Sequence, residues 1–249
     1  MIKISLEELI KSGAHFGHQA KRWNPKMATY LYGIKEGVHI FDLTKTKEEL
    51  EKALEVLKEA KKENKTILFV GTKKQAKEKI LQVAKETGSF WVSERWLGGT
   101  LTNFDQVKKS TKKLTDMKEK MAAGEYKSFT KKERLLIERE IVRLERFFGG
   151  ITGMTKLPDL MIIVDIKKEV GTIQESLKMG IKTIAMVDSN SDPTLVDYPI
   201  PMNDDASKAI EYVLDLMKDV ILGKKQSSIK IPKDEASKGE SAKGKRVRR

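Results

Sequence analysis

The chain has 249 residues, with 49 Lys and Arg against 36 Asp and Glu, no cysteine and a net charge of +13. This length suits one large domain or a domain carrying an insertion, and the missing cysteine excludes disulfides, thiolate metal sites and thiol nucleophiles and fits a reducing compartment. The ionic, basic composition points to a polyanion partner, no run approaches the ~18 apolar residues of a membrane span, and the opening MIKISLEELIKSG has neither signal-peptide nor transit-peptide character.

The first element is a short helix, with Ser5 and Glu8 at capping-box spacing and Leu6, Leu9 and Ile10 as one apolar face. Residues 13–28 show little periodicity, and 30–42 read as two short strands around a Gly-containing turn. Residues 46–62 predict a helix capped by Thr46 and Glu49, and the apolar run 66–70 a strand covered on both faces. A helix over 73–87 and a strand over 89–93 follow. Later come a strand over 160–164, a helix near 169–179, a strand over 183–187, a strand at Tyr198–Pro201 and a helix over 204–222. Strand and helix alternate, so the fold class is α/β, a parallel sheet with helices on both faces. The alternation breaks at 103–150. There Phe104, Val107, Leu114, Met117 and Met121 form one helical stripe and Ile137, Ile141, Leu144 and Phe148 another. With the linker 123–129 and a capping box at Thr130 and Glu133, they predict an inserted antiparallel hairpin of coiled-coil type. The expected domains are therefore 1–102 with 151–222, the insertion 103–150, and a basic tail over 223–249 too polar to order itself. The tail carries 10 Lys and Arg and 3 Asp and Glu, so more than half of the net charge lies outside the α/β unit.

An open parallel sheet binds ligands beyond the C-terminal ends of its strands. Here those ends read VGTKK (70–74), VSERWLGG (92–99), VDIKK (164–168) and VDSNSDP (187–193). None is a Walker A loop or a G-x-G-x-x-G, and G-x-S-x-G and H-E-x-x-H are also absent. Gly71, Thr72, Lys73 and Lys74 at a helix N-terminus suit a phosphate, against the plainer reading of a tight turn with solvated lysines. His15 and His18 lack a third zinc ligand. Asp188, Asp192, Asp197, Asp204 and Asp205 are expected to gather at the C-terminal edge of the last strands. Asp188, Asp204 and the Asn24 amide are the candidate ligands of one divalent cation such as Mg²⁺, against the reading that the two aspartates cap turns. Trp23 and Trp96 each follow an arginine, Arg22 and Arg95, a pairing that serves phosphate and base stacking, although tryptophan more often fills a core.

The segments AHFGHQAKRWNPKM (14–27), ILFVGTKKQA (67–76), RWLGGTLTNF (95–104), PDLMIIVDIKKE (158–169) and VDSNSDPTLVDYPIPMNDDA (187–206) occur in that order. Together they resemble the bacterial family of the second protein of the small ribosomal subunit, over about 3–222. The resemblance implies a Rossmann-like (flavodoxin-like) domain with an inserted helical hairpin, no catalysis and no required cofactor. It implies a cytoplasmic, ribosome-bound protein that is not a homo-oligomer. Its implied partners are small-subunit ribosomal RNA near the head–body junction and other small-subunit proteins, among them ribosomal protein S-one. Met202 stands where the family commonly has Gly, so a different local turn is expected there. The expected phosphate contacts are Lys21, Arg22, Lys26, Lys73, Lys74, Arg95, Lys108, Lys109, Lys112 and Lys113. The rival reading is a nucleotide-binding α/β enzyme working at VGTKK. A third is a free RNA chaperone working through the basic tail.

Overall fold

The computed structural model describes residues 4–223; the basic tail expected over 223–249 lies, beyond Gly223, outside the described residues. Helix α1 (Leu6–Lys11) starts at Ser5, whose hydroxyl accepts from the Glu8 amide. Its apolar stripe divides, because Leu9 is fully buried while Leu6 and Ile10 are exposed. Next come β1 (Phe16–Gln19), β2 (Leu31–Lys35) and β3 (Val38–Phe41), an antiparallel sheet in the order β1-β3-β2. The strand β1 has no alternation of apolar residues; it exists because it pairs with β3, and no local signal announced it.

Helix α2 (Leu43–Lys62) begins three residues before the expected start, with Asp42 as its N-cap. Thr46 is no cap: it is buried in the first turn and its hydroxyl donates to the Pro201 carbonyl at 2.6 Å. Then β4 (Ile67–Val70), α3 (Lys74–Thr87) and β5 (Phe90–Val92) follow. Helices α4 (Phe104–Ala123) and α5 (Lys131–Phe148) form the insertion. Beyond it lie β6 (Leu160–Val164), α6 (Val170–Met179), β7 (Lys182–Val187), β8 (Tyr198–Pro201) and α7 (Ser207–Leu222). The last helix starts at Ser207, which leaves Asp204 and Asp205 in the preceding turn.

The strands β5-β4-β6-β7-β8 form one sheet, parallel at every pairing. In chain order this is the 2-1-3-4-5 arrangement of flavodoxin-like proteins. Both faces are covered, so β4 and β6 are buried at every residue. One face packs α2, α3 and α7 through Leu50, Leu57, Ile80, Val213 and Met217. The other packs Met27 from the 3-10 turn Pro25–Tyr30, Phe41 of β3, Ile173 of α6 and Val107 of α4.

Helices α4 and α5 pack on each other through Leu114, Ile141 and Leu144, with Lys113 on Glu140 at 3.1 Å and Lys118 on Glu145. The Thr130 and Glu133 capping box is present on both sides. At the base of the insertion Gly150 lies so close to β5 that a Cβ there would fall on the Trp91 carbonyl. Met202 is fully buried and donates its amide to Val187, with no left-handed backbone. Its turn needs none of glycine's freedom.

Candidate functional site

Order reverses between β4 and β6, so the crevice beyond their C-terminal ends is where a doubly wound fold holds a nucleotide. Here the protein's own carboxylates fill it. Gly71 carries no side chain because a Cβ would press on Ile80 and stand 3.3 Å from Val164. The Thr72 amide and hydroxyl, aimed where a phosphate would sit, donate to Glu169 Oε1 at 3.0 and 2.6 Å. Glu169 is buried at 3% exposure. The Lys168 ammonium donates to the Thr72 carbonyl at 2.9 Å and closes the loop from the β6 side.

Lys73 is held the same way. Its ammonium lies 2.5 Å from Asp204, 2.6 Å from Asp205 and 3.1 Å from Asp165. An ammonium has three donors, so none remains for a ligand. Burial pulls its pKa down, but the three carboxylates raise it on balance. Asp165 takes a left-handed conformation, φ 67°, rare for a residue with a Cβ. Burial, with Asp188 and Asp165 as like-charged neighbours, pushes Asp204 up to about 7 in spite of Lys73.

Strand β1 completes the rim. Gly17 passes so close to the loop after β7 that a Cβ would sit 2.8 Å from the Ser189 hydroxyl, and the His18 amide donates to that hydroxyl at 2.8 Å. His18 Nδ1 then meets the fully buried Asp188 at 3.0 Å, and Nε2 lies 3.6 Å from Asp205. The hydrogen bond to Asp188 raises the His18 pKa above its ordinary value, against burial. His18, Asp188 and Asp205 each offer one ligand atom within 4.8 Å of the others, the grouping among the described residues that fits a metal ion.

The expected residues fall into separate groups. Asp188, Asp204 and Asp205 gather as expected. Asp197 does not: it binds the Thr183 amide and hydroxyl at the opposite, N-terminal edge of the sheet. Asp192 pairs with Lys26 at 2.6 Å. Asn24 is an N-cap, its side-chain oxygen accepting from the Lys26 amide. Lys73, expected to contact a phosphate, sits in an internal ion-pair group, and Lys113 is tied to Glu140. Lys21, Arg22, Lys74, Arg95, Lys108, Lys109 and Lys112 are exposed and carry no ion pair among the described residues; Lys108 lies over the Phe104 ring at 4.7 Å. Sequence reasoning missed Asp165, Glu169 and the role of His18. The signal was the pair of carboxylates in the strand end VDIKKE, standing opposite the cationic VGTKK across the crevice.

A flavodoxin-like sheet whose switch-point crevice is occupied, among the described residues, by internal ion pairs and hydrogen bonds defines an α/β protein built on a nucleotide-binding architecture. The family described as Ribosomal protein S2 matches residues 9–223, and the chain belongs to that family, whose members are structural proteins and not enzymes. It is 48% identical over 214 residues to the small ribosomal subunit protein uS2 of Amoebophilus asiaticus, covering 86% of this chain and 68% of that one. It is 44% identical to uS2 of Coprothermobacter proteolyticus, covering 89% and 83%, and 45% identical to uS2 of Nitratiruptor sp., covering 90% and 84%. No helix among the described residues is long and apolar enough to cross a membrane.

Proposed function

We propose that the protein is a structural constituent of the small ribosomal subunit in the cytoplasm, binds small-subunit ribosomal RNA near the head–body junction and helps hold ribosomal protein S-one. The observation that carries the RNA reading is a division of the cations. Lys73 in the nucleotide crevice is neutralised inside the fold, while Lys21, Arg22, Lys74, Arg95, Lys108, Lys109 and Lys112 stand exposed without ion pairs among the described residues. Exposed cations on a rigid scaffold serve phosphates and read RNA shape more than sequence. The insertion 103–150, with its helices Phe104–Ala123 and Lys131–Phe148, is proposed as a unit of its own that is anchored on the α/β body through Val107 and Arg146. For the protein partner, the exposed Leu6 and Ile10 of α1 offer apolar contact.

Replacing Lys21 and Arg22 together by Glu should weaken binding to small subunits depleted of this protein and lower the slope of log K against log salt by about 2. A full salt slope in this variant would remove the patch from the interface. Lys26 is left out of that variant because Asp192 already neutralises it.

A divalent cation is proposed at His18, Asp188 and Asp205 in place of the Asn24 set. Imidazole with carboxylates suits Zn²⁺ better than Mg²⁺. Added Zn²⁺ should raise the Tm of the wild type, and Asp205→Asn should abolish the rise. An equal rise in the variant would assign the effect to other groups.

A further inference from the structure

The loop between β5 and α4 contains Arg95, and both of its sequence neighbours are pinned. Glu94 pairs with Lys77 of α3 and, at 2.9 Å, with Arg146 of α5. On the other side, a single carboxylate organises the loop. Glu175 of α6 accepts from the Trp96 indole at 3.1 Å and the Gly99 amide at 2.8 Å through one oxygen. Through the other it accepts from the Leu101 amide at 2.8 Å, the Thr102 amide at 3.1 Å and the Thr102 hydroxyl at 3.3 Å. Both oxygens are saturated by these donors, so Glu175 has no capacity left for a ligand or a proton transfer. What it does is fix the path of the chain from 96 to 102, an irregular segment with a left-handed Gly99, φ 90°. Arg95 itself is exposed and free of ion pairs among the described residues.

We infer that Glu175 is a positioning residue for RNA contact: it holds the 96–102 loop in one shape and, with the Glu94 clamp, presents Arg95 to a phosphate. The inference rests on the RNA-binding reading above. A long cation on a free loop loses conformational freedom when it binds, and a loop ordered in advance removes part of that cost. Glu175 thus acts on RNA through Arg95 and not by contact.

The test is a double-mutant cycle with the full chain and small subunits depleted of this protein, measured across a salt series. Arg95→Ala should weaken binding roughly tenfold and lower the salt slope by about 1. Glu175→Gln should weaken it comparably and lower the slope as well, although no cation has been removed. The two together should cost little more than either alone, since the second change acts on a contact already lost. Trp96 emission, isolated by difference against Trp96→Phe, should shift in Glu175→Gln without RNA. Glu175→Asp, which keeps the charge but withdraws it by one methylene, serves where the Gln variant does not fold; it should show a smaller loss of the same kind. Losses that add, a full salt slope in the Glu175 variants, or unmoved Trp96 emission would overturn the positioning role and leave the RNA reading intact. Unchanged binding by Arg95→Ala would overturn both the Arg95 contact and this inference, while the Lys21 and Arg22 variant would still decide the wider reading.

Discussion

Lys73→Ala should destabilise the protein by about 3–5 kcal/mol, the usual cost of removing one partner from a buried ion-pair group. The substitution leaves Asp165, Asp204 and Asp205 facing one another without an ammonium. Two of them have almost no access to water: the side chains of Asp204 and Asp165 are 2% and 12% exposed. Asp205 is half exposed and adds little. The loss has a pH signature. Without Lys73, Asp204 is raised further above its unfolded value. A group raised in this way contributes stability below its unfolded pKa and loses it as pH rises through the folded one. The deficit of the variant is therefore largest at alkaline pH and shrinks on acidification, and urea titrations at pH 5 and pH 8 would show it. A nucleotide-binding enzyme gives a different result, in which Lys73→Ala abolishes ligand binding and spares stability.

Glu175→Ala should cost about 3 kcal/mol, because four N–H groups and a hydroxyl lose one charged acceptor and the donor residue Leu101 is buried. Burial alone would raise the Glu175 pKa, but the amides of Leu101, Thr102 and Gly99 and the Trp96 indole hold it below the usual glutamate range. A depressed folded pKa gives stability that is present above the unfolded value, about 4.3, and is lost as pH falls through the folded one. The wild type should thus lose stability faster than the Ala variant as pH falls below about 4. Parallel stability curves for the two proteins in that range would show that the carboxylate does not hold the loop in its charged form.

The parts of this fold that could be read from sequence are those set by local pattern. Runs such as ILFV and LMIIV read as strands buried on both faces, and helices α4 and α5 announce themselves through apolar spacing and the Thr130 capping box. Strand β1 was illegible because its stability comes from pairing with β3, some twenty residues further along. The start of α2 was misplaced because Thr46 and Glu49 imitate a capping box, whereas Asp42 caps the helix and Thr46 serves the distant Pro201 carbonyl. The same limit applies to the site. Lys73 was visible as a cation at a helix N-terminus, but its partners come from two other loops, and only the sheet order brings them within bonding distance. Read one strand end at a time, VGTKK resembles a phosphate site; read across the crevice, it is one half of an internal salt bridge. Fold alone suggests a nucleotide enzyme, and the closed crevice argues against it.

The central claim, a structural role on the small ribosomal subunit, is tested most directly by sedimentation. A gentle lysate is resolved on a sucrose gradient at low Mg²⁺, where the subunits separate, and each fraction is probed for this chain. The protein should migrate in stoichiometric amount with the small subunit and be released at high salt, as contacts through phosphates require. Migration at the size of the free protein at every salt concentration would contradict the assignment.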